Sequence, residues 1–190
     1  MRDAARDAIL DAAEEIIAER GLHQAAMSEI AARAGVAVGT VYNHFADRDS
    51  MVRALFRVRR ALISPEIVRL AEARRGAAFE HRLRGLVRDV LELLEQHRRF
   101  CKVALEAEQI KNEPTGGNNR PVMTALHGAM AEILAAGAEE GAVRAGEVDR
   151  LVRLLLGAMR GLLRYRLETG GPFTDDAELV VDVFLRGVAT

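Results

Sequence analysis

The chain has one cysteine, no tryptophan and four prolines among its 190 residues. A single Cys101 permits no disulfide within the chain and no intrachain thiolate cluster, so a disulfide scaffold and a multi-cysteine zinc site are both excluded. Long apolar runs are missing as well. The most apolar stretch, residues 151–167, is broken by Arg153, Arg160, Arg164 and Arg166, charges that a bilayer centre penalises. The opening MRDAARDAIL carries acids where a signal peptide has an apolar core. The chain therefore reads as cytoplasmic, with no membrane partner. Catalytic spacings are absent too: no His-Glu-x-x-His, no Glu-x-x-His, no phosphate-cradling glycine loop and no serine in a nucleophile elbow. An enzyme is not expected, and no cofactor or metal is implied. What remains, 49% hydrophobic and 29% charged residues, is the composition of a globular protein rather than a disordered or fibrous one.

The apolar residues recur at helical intervals from end to end. Ile9, Ala12, Ala13, Ile16 and Ile17 form one stripe, closed by Arg20-Gly21, a cation followed by glycine as at many helix ends. Phe79, Leu83, Leu86, Val87, Val90, Leu91 and Leu94 form another, and Phe100 to Ile110 a shorter one. Met123, Leu126, Met130, Ile133 and Leu134 continue as a helix to Gly141. Ser64-Pro65 predicts a break or kink, since proline has no amide hydrogen to donate. The run NEPTGGNN, 112–119, reads as a flexible loop. No alternating strand pattern and no internal repeat appears, so the predicted fold class is all-α, with about nine helices.

Residues 27–48, MSEIAARAGVAVGTVYNHFADR, have a distinct character. Met27, Ile30, Ala31 and Ala34 give a short helix one apolar side, and Gly35 permits a sharp turn into a second short helix from Val38 to Phe45. Val36, Val41 and Phe45 point inward; Thr40, Asn43 and His44 point elsewhere, with Tyr42 near the edge. Gly39 lets backbone approach another surface closely. Such a helix fits a DNA major groove and offers hydrogen bonds to bases and phosphates. Asp47 is placed to cap a fourth helix carrying Met51, Ala54 and Leu55 on one side.

The segment AGVAVGTVYNHFADRDSM resembles the TetR family of bacterial transcriptional repressors, over roughly the first quarter of the chain. The resemblance implies a helix-turn-helix DNA-binding domain at residues 1–47 and a larger helical ligand-binding and dimerisation domain at 48–190. It also implies that Thr40, Tyr42 and His44 contact operator DNA and that Arg48 clamps a phosphate. Ala37 and Val38 stand where the family often has a hydroxyl cap and a long polar base reader. Their side chains offer a thymine methyl contact but no hydrogen bond, which shifts base discrimination toward Asn43 and Ser28. The DNA-facing set is then Ser28, Val38, Gly39, Thr40, Tyr42, Asn43, His44 and Arg48.

Charge is unevenly spread. Residues 1–50 hold five Arg against nine Asp and Glu, and residues 51–99 hold twelve Arg against six acids. A DNA reader needs a local basic surface rather than a basic chain, and the acids Asp11, Glu14, Glu15 and Glu19 can face away from DNA. Few phosphate-neutralising side chains predict a modest salt dependence per protomer.

Two other groups of residues are candidates for function. Phe56, Phe79, Phe100, Cys101, Met123, His127, Met130 and Met159 are apolar or weakly polar residues of the middle helices. They are assigned to a pocket for a small hydrophobic or aromatic effector, although the same spacing suits an ordinary core. His97 and Cys101, four apart, have a spacing suited to metal or thiol chemistry, but no third ligand accompanies them. Glu106 and Glu108 read as solvated. Near the end of the chain, Leu151, Leu155, Ala158, Leu162, Leu179, Val183 and Phe184 are too broadly apolar for one buried stripe. Periodicity alone leaves a monomer core and a dimer interface equally open; the family resemblance implies a four-helix dimer interface. The function these readings converge on is a homodimeric regulator, released from a palindromic operator by a small-molecule effector. The competing reading is an all-α small-molecule-binding or scaffold protein whose DNA binding has lapsed.

Overall fold

The computed structural model describes residues 4–107, 120–144 and 146–188. Among the described residues nine α-helices run in order: α1 (Ala4–Arg20), α2 (Met27–Ala34), α3 (Val38–His44), α4 (Arg48–Glu72), α5 (Phe79–Gln96), α6 (Arg98–Ala107), α7 (Arg120–Glu139), α8 (Val148–Thr169) and α9 (Ala177–Val188), with a 3-10 turn at Phe173–Asp176. Among the described residues there is no strand, and no helix is long and apolar enough to cross a membrane. The loop expected at 112–119 and the carboxylate of Glu108 lie outside the described residues.

The helices gather into two compact units: Met1–Ala61 with Arg98–Asn119, and Leu62–His97 with Arg120–Thr190. The boundary expected after residue 47 thus falls inside the first unit, which also takes in the first half of α4 and all of α6.

In the first unit the predicted stripe of α1 is buried, from Ile9 to Ile17. Gly21 ends the helix at φ +91° with its amide donating to Ile17 O at 2.8 Å, a left-handed turn that glycine adopts without a Cβ clash. The next amide, on Leu22, donates to Glu106 Oε1 at 3.0 Å. A Cβ on Gly21 would stand 2.8 Å from that same oxygen, so both the turn and the approach require glycine. Glu106, expected to be solvated, is therefore a tie between α6 and the end of α1. Phe56 and Phe100 meet edge to face, ring centroids 5.1 Å apart, and close the core of this unit. Among the acids of α1, Glu14 is buried and paired with Arg59.

Asp47 starts α4 as expected. Its Oδ1 accepts the Ser50 amide at 2.6 Å while its own amide donates to Ser50 Oγ at 3.2 Å, a reciprocal pair that satisfies two otherwise orphaned donors. Of the break or kink expected at Ser64-Pro65, the break does not occur: α4 continues through Pro65 to Glu72. The buried side chains Ile63 and Ile67 flank the proline and hold the helix by packing, which offsets the one hydrogen bond that proline removes.

In the second unit α5 buries Phe79, Leu83, Leu86, Val87, Val90, Leu91, Leu93 and Leu94. Phe79 lies against Gly137 of α7, where a Cβ would come within 2.5 Å of its ring. Glu95 Oε2 accepts the Phe173 amide at 2.7 Å. Arg166 of α8 grips the buried Asp176 through two bonds, Nε to Oδ2 at 2.7 Å and Nη2 to Oδ1 at 2.8 Å; this paired geometry fixes the turn between α8 and α9.

Candidate nucleic-acid interface

α2 has no side-chain cap, because Ala26 occupies that position. Its end is firm: Gly35 is left-handed (φ 69°, ψ 29°), its amide donates to Ala32 O at 3.2 Å, and the Val36 amide donates to Ala31 O at 3.0 Å. This closure reverses the chain within three residues and starts α3 from an extended Ala37 that likewise makes no side-chain cap bond. Val41 and Phe45 anchor α3, at 0% and 4% exposure, and the Arg6 guanidinium lies over the Phe45 ring, 5.4 Å from its centroid. Val36, expected inside, is only half-buried.

With that side anchored, the helical repeat presents a defined outer face. Val38 and Tyr42, one turn apart, are 42% and 52% exposed; Gly39 and Asn43, also one turn apart, lie beside them in solvent. Thr40 and His44 are half-buried at the flank, and Ser28 is exposed on α2. Arg48 is drawn inward: its Nη1 donates to Leu22 O at 3.1 Å and His23 O at 3.0 Å. The resemblance gave it a phosphate; here it holds the α1–α2 turn against the start of α4.

The acids of this region are absorbed by arginines. Arg33 of α2 binds Glu19 through Nη1 and Nη2, each at 3.1 Å, and reaches Glu15 at 3.2 Å; its hydrogen bond holds the Glu19 carboxyl below the usual carboxylate range. Arg59 pairs with Asp11 at 2.6 Å and with Glu14, Arg99 with Glu15 at 2.9 Å, and Arg20 with Glu29. Asp11, Glu14, Glu15, Glu19 and Glu29 are thus each paired with an arginine within the unit. The partners of Glu14 and Glu15 stand 45 and 84 residues away, which is why local sequence gave no sign of them.

Residues 9–55 match the family model of bacterial regulatory proteins, tetR family. In this N-terminal segment the chain is similar to the TetR family. Over 49 residues it is 49% identical to the fatty acid metabolism regulator protein of Bacillus subtilis, covering 26% of this chain and 25% of that protein. The curated relatives it matches are spanned over a quarter to under half of their length. The likeness to solved structures is longer. The fatty acid degradation regulator FadR from Bacillus halodurans is 26% identical, with a TM-score of 0.77 over 96% of this chain and 98% of that one. FadR from Bacillus subtilis, solved in complex with stearoyl-CoA, is 22% identical, with a TM-score of 0.79 over the same shares, a likeness of fold. Each of these proteins is named as a regulator.

The residues assigned to an effector pocket separate. Phe56, Phe100 and Cys101 are buried in the first unit, while Phe79, Met130 and Met159 fill the core of the second. Met123 and His127 do reach open space, a cavity of about 780 Å³ bordered also by Leu156, Gly157 and Arg160. His97 is the C-cap of α5 and so lies outside the helix of Cys101; among the described residues no three His, Cys, Asp or Glu side chains converge as for a metal. Of the dimer candidates, Leu151 and Leu155 are buried within the chain at 6% and 0% exposure. They sit one turn apart on the inward side of α8, and Leu154, 66% exposed, stands on the outward side in their place. Ala158, Leu179 and Val183 are exposed, and Leu162 and Phe184 half-buried.

Proposed function

We propose that the protein is a homodimeric, ligand-responsive transcriptional regulator that represses from a near-palindromic operator and is released by a small effector with an apolar body. The observation that carries this reading is the outer face of α3, where Val38, Gly39, Tyr42 and Asn43 stand in solvent on a helix anchored by Val41 and Phe45. Val38 offers apolar contact to a thymine methyl, Asn43 a paired hydrogen bond of the kind that reads adenine, and Tyr42 a phenol for phosphate. In a two-fold dimer the two α3 helices enter successive major grooves about 34 Å apart, which gives the operator its symmetry.

The exposed Leu154 and Ala158 and the half-buried Leu162 of α8, with Leu179, Val183 and Phe184 of α9, supply a self-complementary apolar surface for that dimer. Release requires an effector that binds the operator-incompetent state better than the competent one. α4 runs unbroken from Arg48, close after α3 in the chain, to Glu72.

Titration of a duplex from the chain's own upstream region, at matched salt, tests this. The wild type binds it tighter than a scrambled duplex by at least about a hundredfold, and Tyr42→Ala loses about tenfold or more. Equal binding to both duplexes by both proteins would leave the lapsed-reader alternative standing.

A further inference from the structure

The cavity of the second unit has a chemistry that the family assignment does not specify. It lies where α7 and α8 run side by side, with Met123 and Leu156 as its apolar wall. Gly128 and Gly157 border it from the two helices, and a Cβ built on either meets nothing within 4 Å. The space therefore exists where side chains would otherwise stand. Its charge is of one sign. Arg153 and Arg160 flank Gly157 on α8, the His127 ring faces them from α7, and no carboxylate is among the described residues lining it. Asp149 touches two of these side chains: His127 Nε2 lies 3.0 Å from its Oδ1, and Arg153 Nε donates to its Oδ2 at 2.9 Å. The Arg153 bond, and behind it the His127 bond, hold Asp149 below the usual carboxylate range, so it stays ionised and keeps the Arg153 guanidinium and the His127 ring in place.

We propose that this groove binds an anionic amphiphile, its apolar chain along Met123 and Leu156 and its charged head between Arg153 and Arg160, and that this molecule is the effector. The second half of that statement rests on the regulatory reading above. Size and exposure decide against a small inorganic anion. A volume of about 780 Å³ is that of a site for a whole organic molecule. Arg153, 71% exposed, sits in water, where an ion pair contributes little on its own. Affinity must then come from the chain, about fourfold per buried methylene, with the arginines selecting the sign of the head. A neutral or cationic amphiphile fills the same wall but brings no negative charge to the two guanidiniums.

Isothermal titration calorimetry on the full chain distinguishes these, with decanoate, decyl phosphate, decanol, decyltrimethylammonium and inorganic phosphate as probes. Decanoate or decyl phosphate binds saturably, one per protomer, and the tighter of the two identifies the head group. Decanol binds at least about tenfold weaker, and decyltrimethylammonium and inorganic phosphate do not saturate. Arg153→Gln with Arg160→Gln lowers anion affinity about tenfold and leaves decanol unchanged; Gly157→Leu, which fills the groove, removes both. Thermal melting and sedimentation of each variant check that fold and dimer persist. Decanol binding as tightly as decanoate overturns the charge assignment, and anion binding that survives Gly157→Leu overturns the location. Loss of the dimer in Gly157→Leu gives the groove to a second copy of the chain and overturns the site. Operator titrations with and without the bound anion separate the two readings. A chain that binds the anion but no operator fails the regulatory proposal alone, one that binds operator but no anion fails the groove alone, and one whose operator affinity ignores the bound anion fails the effector assignment.

Discussion

The Ser50 amide donates to Asp47 Oδ1 at 2.6 Å, and this contact holds the first turn of α4, the helix that follows α3. The Ser50 backbone bond, followed by its side chain, lowers the Asp47 carboxyl from its usual range near 3.8. A carboxyl whose folded value is depressed contributes stability that is complete above the unfolded value and fades as the pH falls through the folded one. Asp47→Asn keeps the capping oxygen but not the charge. It is expected to melt lower than the wild type, by a few degrees at most, near pH 6, and the gap is expected to narrow as the pH falls below the unfolded value. Melting curves of both proteins across that range check the sign.

Glu106 ties α6 to the end of α1 through the Leu22 amide. Glu106→Ala leaves that amide without its acceptor and is expected to cost about 1–3 kcal/mol in urea denaturation. Glu106→Gln retains an oxygen in the same place and is expected to cost much less. Equal losses would mean that the contribution is the charge, not the hydrogen bond.

Leu154 and Leu155 are neighbours with opposite fates, one 66% exposed and the other fully buried. Leu154→Glu together with Val183→Glu is expected to yield a folded monomer by sedimentation equilibrium. Leu155→Ala is expected to lower stability by about 2–5 kcal/mol and to leave association to the remaining protein unchanged. A dimeric double-Glu variant would place the interface elsewhere.

Asn43 and Ser28 are exposed beside a helix start that offers only Ala37 and Val38. Asn43→Ala is expected to cost about 1–3 kcal/mol at one base pair of each half-site and almost nothing at the others, the pattern of direct readout. Binding curves over single-base-pair operator variants measure this. A uniform loss over all variants would make Asn43 a backbone contact.

Much of this architecture is legible in residue spacing. The stripes of α1 and α5, the Gly35 turn and the Val41–Phe45 anchor follow from period and from one left-handed glycine, and the structure buries those stripes and the anchor. What spacing does not reveal is of two kinds. Contacts distant in sequence, Glu14 with Arg59 and Glu106 with Leu22, leave no local mark. Helices apolar over most of their girth carry no mark of which side is inward: on α8 the buried row passes through Leu151, Leu155 and Met159, and the free row through Leu154 and Ala158. The pocket assignment suffers from the same ambiguity, since Phe and Met at helical intervals fill a core as readily as they line a cavity. Of the cavity itself, the informative residues were Gly128 and Gly157, whose contribution is space. Pro65 misleads for a simpler reason, because Ile63 and Ile67 hold the helix by packing where propensity would end it.

The most direct measurement for the whole account is a hydroxyl-radical footprint of the full chain on its upstream duplex. A dimer of α3 readers protects two short patches about one helical turn apart, centred on a near-palindrome, and both disappear together in Tyr42→Ala. A single patch, protection spread evenly over the duplex, or a footprint that Tyr42→Ala leaves in place would contradict it.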